Sequence, residues 1–410
     1  MKRKIFIYVG GLTSCEKGAV GTHTKGILKG FLNTQLFSEK YIIGSNLMCF
    51  QTFEELQKID LSALQPPASG FINKILFYKK YCNAIRVELD KIIEKNKEAE
   101  FFIYHRFALN LSHKIILAIR KLKATKTTIV LEYNDITNDQ LKFLAQQKSW
   151  GTIGSFLRCN FITEKIVHFQ EKTAFEKSDL NVAVTDKIKD YILSLSPKSN
   201  AVVVPNATDI DLIHSDVDIT SSRKKLNIPL DKYVIAHVGT LTSWDGLIEL
   251  IHGLNASKHK NNILFYIIGN GVMKEKIISL VNSLQLTDNV IFKDAMPFDE
   301  AIEYVKACNL VPLLKTIVSY QLSPIKFYEA LGMGKPILST DIEYINEIKN
   351  TKYGKVVSFP LSIEEISNAI DHLFENADYF IDKQSEIKNF ALNHHTWNQR
   401  VETILKVTKI

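Results

Sequence analysis

The chain has 410 residues, 46% apolar and 23% charged, with a formal net charge of +7. That length suits two domains of about 200 residues, and the composition excludes a disordered or fibrous protein. The charge is lopsided: residues 1–200 carry 30 Lys and Arg against 19 Asp and Glu, whereas residues 201–410 carry 21 against 25.

The N-terminus, "MKRKIFIYVGG", starts basic, but its apolar run ends at Gly10. A secretory signal needs a longer apolar core, so the run reads as a first buried strand. In the first half, "IFIYVGG", "YIIGSN", "EFFIYHR", "TTIVLEYN", "LNVAVTD" and "AVVVPNA" read as strands. In the second, "YVIAHVGT", "ILFYIIGNG", "NVIFKD", "NLVPLL", "KPILST" and "GKVVSF" do so. Most are nearly continuous apolar runs, as expected of strands covered on both faces of a parallel sheet. Amphipathic patterns such as "DGLIELIHGLNASK" separate them, which predicts two doubly wound α/β domains. The expected domains are 1–208 and 209–392, joined by a linker near 206–230 without strong periodicity. A last helix, "WNQRVETILKVTKI" within 393–410, has a spare apolar face that would let it cross back onto the first domain. No stretch approaches the ~18 uncharged apolar residues of a membrane span. The cysteines, Cys15, Cys49, Cys82, Cys159 and Cys308, are odd in number, widely spaced and without C-x-x-C. They argue against a disulfide framework or zinc site and fit a reducing cytoplasm.

Open α/β sheets bind ligands beyond the carboxyl ends of their strands. Candidates by this rule are Gly10, Gly11, His105, Glu132, Gly239, Thr240, Gly269, Gly271 and the segment "YQLSPIKFYEALGMGKP". In that segment Ser323 reads as an N-cap and Pro324 as the first helical residue. The free N–H groups at such a helix start favour phosphate, and Lys326 adds a full charge. Glu329 lies three residues on, on the same face, where a carboxylate can accept hydrogen bonds from two adjacent ribose hydroxyls. The plain alternative is a well-capped helix with an exposed Lys/Glu pair.

Taken in order, "HVGTL", "IIGNG", "NVIFKD" and "SPIKFYEALGMGKPILST" resemble the C-terminal domain of retaining glycosyltransferases of family 4. "VVVPNATD" is similar to that family's interdomain P-N-G-x-D motif with Ala207 for glycine, and "HTWNQRVETIL" to its terminal crossover helix. The likeness covers roughly 180–405 well and the first half loosely. It implies the GT-B fold, two facing Rossmann-like domains with a cleft between them. It also implies a nucleotide diphosphate sugar as donor, with no other cofactor; a metal-independent enzyme is expected because this chain's D-x-D pairs fall in the presumed linker. On this likeness Glu329 would bind the donor ribose. Lys326 would hold the diphosphate together with the helix start at Ser323, Pro324 and Ile325. Backbone groups of Lys293, Asp294 and Ala295 would meet the base, and Gly269, Gly271 and Thr240 would line the same pocket. Gly10 and Gly11 would let backbone approach the phosphate. Two departures stand out. Gln321 occupies the position of a second family glutamate. The family's basic pair, an arginine after V-G and a lysine before the next glycine, is replaced by Thr240 and Asp245. Lys326 would then be the main side-chain counterion, and Gln321 a neutral sugar contact.

His105 ends a strand where family members often place a histidine near the sugar, although a histidine satisfied by backbone is an equal reading. Arg106 beside it would anchor a phosphate; His23 would approach the acceptor, and Glu132 reads as structural or acceptor-side. The D-x-D pairs Asp209/Asp211 and Asp216/Asp218 fall in the presumed linker and read as solvated acids. "GNGVMK" lacks the third glycine of a dinucleotide fingerprint, which disfavours an NAD-dependent oxidoreductase.

The basic half points to an anionic partner. "KIILAIRKLKATK" (114–126) and "INKILFYKKYCNAIR" (72–86) each join an apolar stripe to a basic face, suited to an anionic membrane. The expectation is therefore a cytoplasmic enzyme, peripheral on the membrane, with a lipid-linked or polysaccharide acceptor and no nucleic-acid partner. The rival is a noncatalytic sugar-nucleotide-binding subunit.

Overall fold

The structure is a computed structural model. It describes residues 2–410 apart from 13–18, 68–70, 123–125, 147–159, 215–217, 317–322, 343–344, 346–348 and 350–352. The chain divides into two compact units, Met1–Pro205 with Asn398–Ile410, and Asn206–Trp397.

Seven parallel strands form the sheet of the first unit: β1 (Lys4–Val9), β2 (Glu39–Gly44), β3 (Leu56–Asp60), β4 (Glu100–Arg106), β5 (Lys126–Tyr133), β6 (Leu180–Ala183) and β7 (Ala201–Val203). Their order is β3-β2-β1-β4-β5-β6-β7, so the sequence of strands reverses between β1 and β4. The alternating residues of β1 explain its unbroken apolar run. Ile5, Ile7 and Val9 share a core with Tyr81, Ile85 and Leu89 of the helix Phe71–Lys95. Phe6 instead stacks on Phe31 of the helix Ala19–Leu32, with ring centroids 4.3 Å apart. Sheets covered on both faces leave no polar alternation to read. β3 is the strand that sequence patterning misses. It is an edge strand with only Leu56 buried, so its polar residues remain exposed to water.

The last helix, Trp397–Thr408, buries Val401 and Ile404, and its Asn398 accepts a 3.0 Å hydrogen bond from Asn33 of the first unit.

In the second unit, β8 (Tyr233–Val238), β9 (Ile263–Ile268) and β10 (Val290–Lys293) pair in parallel, as do β11 (Val311–Leu313), β12 (Ile337–Thr340) and β13 (Gly354–Val357). A parallel bridge between Ile235 and Leu310, with Ala236 N–H on Leu310 O at 3.1 Å, joins the two sets. The strands therefore run β10-β9-β8-β11-β12-β13, and their order reverses between β8 and β11.

Several expectations need correction. The stretch 206–230 is not an aperiodic linker: it contains the helices Ile210–His214 and Ile219–Leu226. Arg223 anchors the second of these, its buried guanidinium donating to Ala307 O, Leu230 O, Lys232 O and Asn309 Oδ1. Asp218 is that helix's N-cap, accepting from Thr220 and Ser221 N–H, and Asp209 accepts from Asp211 N–H. Asp216 lies outside the described residues. The basic pattern at 114–126 is not one helix either. The helix ends at Ile119, and Lys126 already belongs to β5. Arg120 pairs with Asp179 at 2.8 Å and Lys126 with Glu100 at 3.6 Å, so two of the five cations are in ion pairs. Cys82 and Cys308 are free and buried, but Cys49 is disulfide-bonded, contrary to the all-reduced reading.

Candidate functional site

The carboxyl ends of β8, β9 and β11 carry the second unit's candidate site. Gly239, just past β8, has φ of +147°. A Cβ there would lie 2.2 Å from the Lys326 ammonium nitrogen and 2.5 Å from its Cε. The lysine therefore runs directly across the Gly239 backbone. Gly269, past β9, has φ of +142°, and a Cβ on it would meet Gly239 O at 1.9 Å. One on Gly271 would meet Leu241 O at 2.2 Å. Glycine at these three positions is thus demanded by the protein's own packing, independently of any ligand.

The helix bearing Lys326 and Glu329 spans Ile325–Gly332 with Pro324 at its N-cap. Ser323 is not the cap. Its hydroxyl accepts from Asn206 N–H at 2.9 Å and donates to the Tyr328 hydroxyl at 3.2 Å, while the Asn206 amide donates to Ser323 O. Ser323 thus ties the start of the second unit to the helix, a role set by a residue 117 positions away.

Lys326 and Glu329 are both partly buried, and among the described residues neither side chain is in a hydrogen bond or ion pair, though Asp245 and Glu329 attract the lysine. Burial pushes the Glu329 carboxyl up to about 7, against the opposing pull of Lys326. Burial also lowers the pKa of Lys326, opposed by Asp245 and reinforced by Lys315. This is a cation and a carboxylate adjacent on one helix face, with the lysine at the end of a parallel sheet.

Sequence reading missed two further groups. Lys315 follows β11, and its ammonium donates to Asp245 at 2.6 Å. His237, in the last turn of β8, is buried; its ring hydrogen-bonds the Pro312 backbone, and Nε2 lacks a partner. Burial, then the nearby Lys326, hold this imidazole down at about 3, so it stays neutral. Both residues sit at strand ends, the one signal that would have found them.

Of the other expected residues in this unit, Thr240 is exposed beside Gly239. Lys293 lies at the end of β10, where its carbonyl accepts from Gly269 N–H at 3.0 Å. Asp294 and Ala295 are exposed, and Asp294 is paired with Lys274 at 2.5 Å. Gln321 lies outside the described residues. Also among the described residues, no three His, Cys, Asp or Glu side chains cluster as a metal ligand set.

In the first unit the reversal between β1 and β4 brings Gly10, Gly11, His105 and Arg106 to one sheet edge. Gly10 N–H donates to Ile43 O at 2.8 Å, and Gly11 O accepts from the Tyr81 hydroxyl at 3.2 Å. Neither has a positive φ, and a Cβ on Gly11 would make only an ordinary 3.6 Å contact with Ala108. His105 is completely buried, with Nδ1 on Val9 O at 2.7 Å and Nε2 on the Ser112 hydroxyl at 2.8 Å. Burial holds it down at about 4. A neutral ring with both nitrogens engaged fastens β4 to β1, as in the alternative reading of a histidine satisfied by its surroundings. Glu132 is likewise buried, 2.5 Å from His23 and 2.6 Å from the Tyr104 hydroxyl. Burial would raise its pKa, but His23, Arg106 and Tyr104 outweigh that and hold it at about 2. The four residues form a compensated buried cluster.

Residues 218–393 match the family described as Glycosyl transferases group 1. An uncharacterized glycosyltransferase of Methanocaldococcus jannaschii is 24% identical over 285 residues, covering 65% of this chain and 68% of that protein. The chitobiosyldiphosphodolichol beta-mannosyltransferase of Candida albicans is 25% identical over 224 residues. That match covers 51% of this chain and 49% of the relative, so the chain spans about half of that protein. Among solved structures, HepE of Anabaena in complex with UDP superposes with a TM-score of 0.65 at 15% identity, covering 99% of this chain and all of that one. The architecture is that of GT-B glycosyltransferases, with two Rossmann-like α/β domains.

Proposed function

Because residues 218–393 match group 1 glycosyl transferases, we propose that the protein is a retaining glycosyltransferase. It moves a sugar from a nucleotide diphosphate sugar to an acceptor hydroxyl in the synthesis of a cell-surface polysaccharide or glycolipid. The observation that carries this reading is the pair Lys326 and Glu329 on one helix face, in no hydrogen bond or ion pair among the described residues, with Lys326 lying across the backbone just past β8. A mostly desolvated ammonium in no direct ion pair among the described residues, with Asp245 already engaged by Lys315, calls for an anion. The first N–H groups of the helix point the same way as the positive end of its dipole. Glu329, one turn along the same helix, would accept from the ribose hydroxyls.

As the bond between sugar and diphosphate breaks, negative charge grows on the leaving phosphate oxygen. Lys326 and the helix start stabilise that charge where it develops. Attack from the face the diphosphate leaves lets the same oxygen take the acceptor proton. Retention rests on the ordered motifs, and use of a nucleotide diphosphate is supported by the UDP bound to the Anabaena protein.

The test is a panel of UDP-, GDP- and CDP-sugars. One base class is expected to raise the melting temperature and to release its diphosphate when an acceptor is supplied. Failure of all three to bind would refute the reading.

We also propose contact with an anionic membrane through the first unit. In the helix Phe71–Lys95, Ile72, Ile75 and Leu76 are exposed by 71, 45 and 58%, with Lys74, Lys79 and Lys80 exposed around them. The apolar residues lie at i, i+3 and i+4 on one face, and each lysine near an anionic surface adds about 1 kcal/mol. Among the described residues no helix is long and apolar enough to cross a membrane. Phosphatidylglycerol-rich vesicles are expected to sediment the protein and neutral phosphatidylcholine vesicles to leave it in solution. Ile75→Glu with Leu76→Glu is expected to abolish sedimentation at an unchanged melting temperature. Equal sedimentation of this variant would place the contact elsewhere.

A further inference from the structure

Resting on the donor-site reading above, we propose that Lys315 is a second diphosphate-binding cation, delivered from β11 to replace the positive charge that Asp245 removes from the loop after β8. Asp245 stands immediately before Gly246, at the start of the helix Leu247–Ala256, where the resemblance places a lysine. A carboxylate there would repel a diphosphate. The Lys315 ammonium covers it, 2.6 Å from Asp245 Oδ1, with both side chains largely buried at 13 and 7% exposure.

The loops that carry the pair are laced together. Thr316 N–H donates to Trp244 O and its hydroxyl to Ser243 O, each at 3.1 Å. Lys315 N–H donates to the Thr340 hydroxyl at 2.7 Å, and Thr242 fills the other Asp245 oxygen. Gly246, with φ of +58°, lets Leu314 approach to where its Cβ would be 2.7 Å from an added side chain. Lys315 is therefore fixed at the point where strand order reverses, the place where such sheets receive ligands.

Counting charges strengthens the argument. Lys315 and Lys326 repel each other, and the Asp245 that attracts Lys326 is ion-paired with Lys315. Glu329 is largely protonated below about 7. The sheet end thus holds two cations against one full carboxylate, and the surplus faces an anion. Burying two like charges without one is costly, and of the contacts at 315 only the pairing with Asp245 uses the lysine side chain. A threonine or serine at 315 would serve the same backbone bonds.

The experiment measures dissociation constants for UDP, GDP, UMP and GMP by calorimetry. For wild type the diphosphate of the preferred base binds more tightly than its monophosphate. Lys315→Ala is expected to weaken the diphosphate by about 10- to 100-fold, the worth of a charge-assisted contact, while changing the monophosphate little. That collapses the preference, which a purely structural lysine would leave intact. Lys315→Asp alone is expected to abolish it, and adding Asp245→Lys to restore it by returning a cation to the loop after β8. Equal weakening of diphosphate and monophosphate, or no restoration in the swap, would overturn the proposal. Wild type binding neither UDP nor GDP would overturn the donor-site reading, and this inference with it. Wild type binding normally with Lys315→Ala unchanged would overturn this inference alone.

Discussion

Lys326→Ala is expected to lower sugar transfer by about 10²- to 10³-fold, the usual cost of removing one preorganised group from a developing oxyanion. Most of the loss should fall on kcat, because the charge on the leaving diphosphate is larger in the transition state than in the bound donor. The same substitution should not destabilise the protein. Burial lowers the Lys326 pKa, so keeping the lysine charged at neutral pH costs the folded state free energy. Alanine removes that cost, and the melting temperature is expected to hold or rise while activity collapses. This opposite movement separates a site lysine from a structural one. A parallel fall of both would assign Lys326 to packing over Gly239. Normal transfer in the variant would refute the site.

Glu329 predicts a pH dependence with a defined sign. Its carboxyl titrates at about 7 in the fold against 4.5 for an ordinary glutamate. Between these values the folded chain holds a proton that the unfolded chain has lost. Its contribution to stability is complete below the lower value and is lost as pH rises through the upper one, amounting to about 3 kcal/mol. Glu329→Gln carries no charge at any pH, so it is expected to be the more stable form above about pH 7 and to lack this slope.

Ligand binding runs the other way. Accepting two ribose hydroxyls favours the carboxylate, so diphosphate binding below about pH 7 must release a proton. Affinity is expected to rise by up to tenfold per pH unit toward about 7 and then level off, as linkage requires. In Glu329→Gln it should be flat and low. The measurement is calorimetry in buffers of different ionisation enthalpy, which counts the proton directly. No proton released by wild type at pH 6 would remove Glu329 from the ribose.

Local sequence patterning revealed most strands because each is covered on both sides by helices. A run such as "IFIYV" has apolar residues on both faces, and Phe6 and Ile7 each find their own core. β3 escaped because an edge strand buries little, leaving "LQKID" looking like a loop. The stretch 206–230 escaped because its order comes from Arg223 reaching carbonyls that only the fold brings together. Ser323 fits a cap by local rules, yet its hydroxyl is engaged by Asn206. His105 stands at a strand end as a site residue should, but the neighbouring strand and helix occupy both its nitrogens.

What the sequence determined by itself was the alternation of buried strands and helices, and the helix that sets Lys326 and Glu329 on one face. Those are effects of short range, with periods of two and of 3.6 residues. Only the tertiary structure decided which charged groups are compensated. Glu132 is quenched by His23 from the helix Ala19–Leu32 and by Tyr104 and Arg106 from β4. Asp245 is met by Lys315, 70 residues away just past β11, while Lys326 is laid across Gly239 in no ion pair among the described residues. The physical reason is that desolvation and Coulomb energy depend on distance through space. A reversal of strand order places β8 beside β11, and no local pattern in "HVGTL" or "VPLLK" records that neighbour.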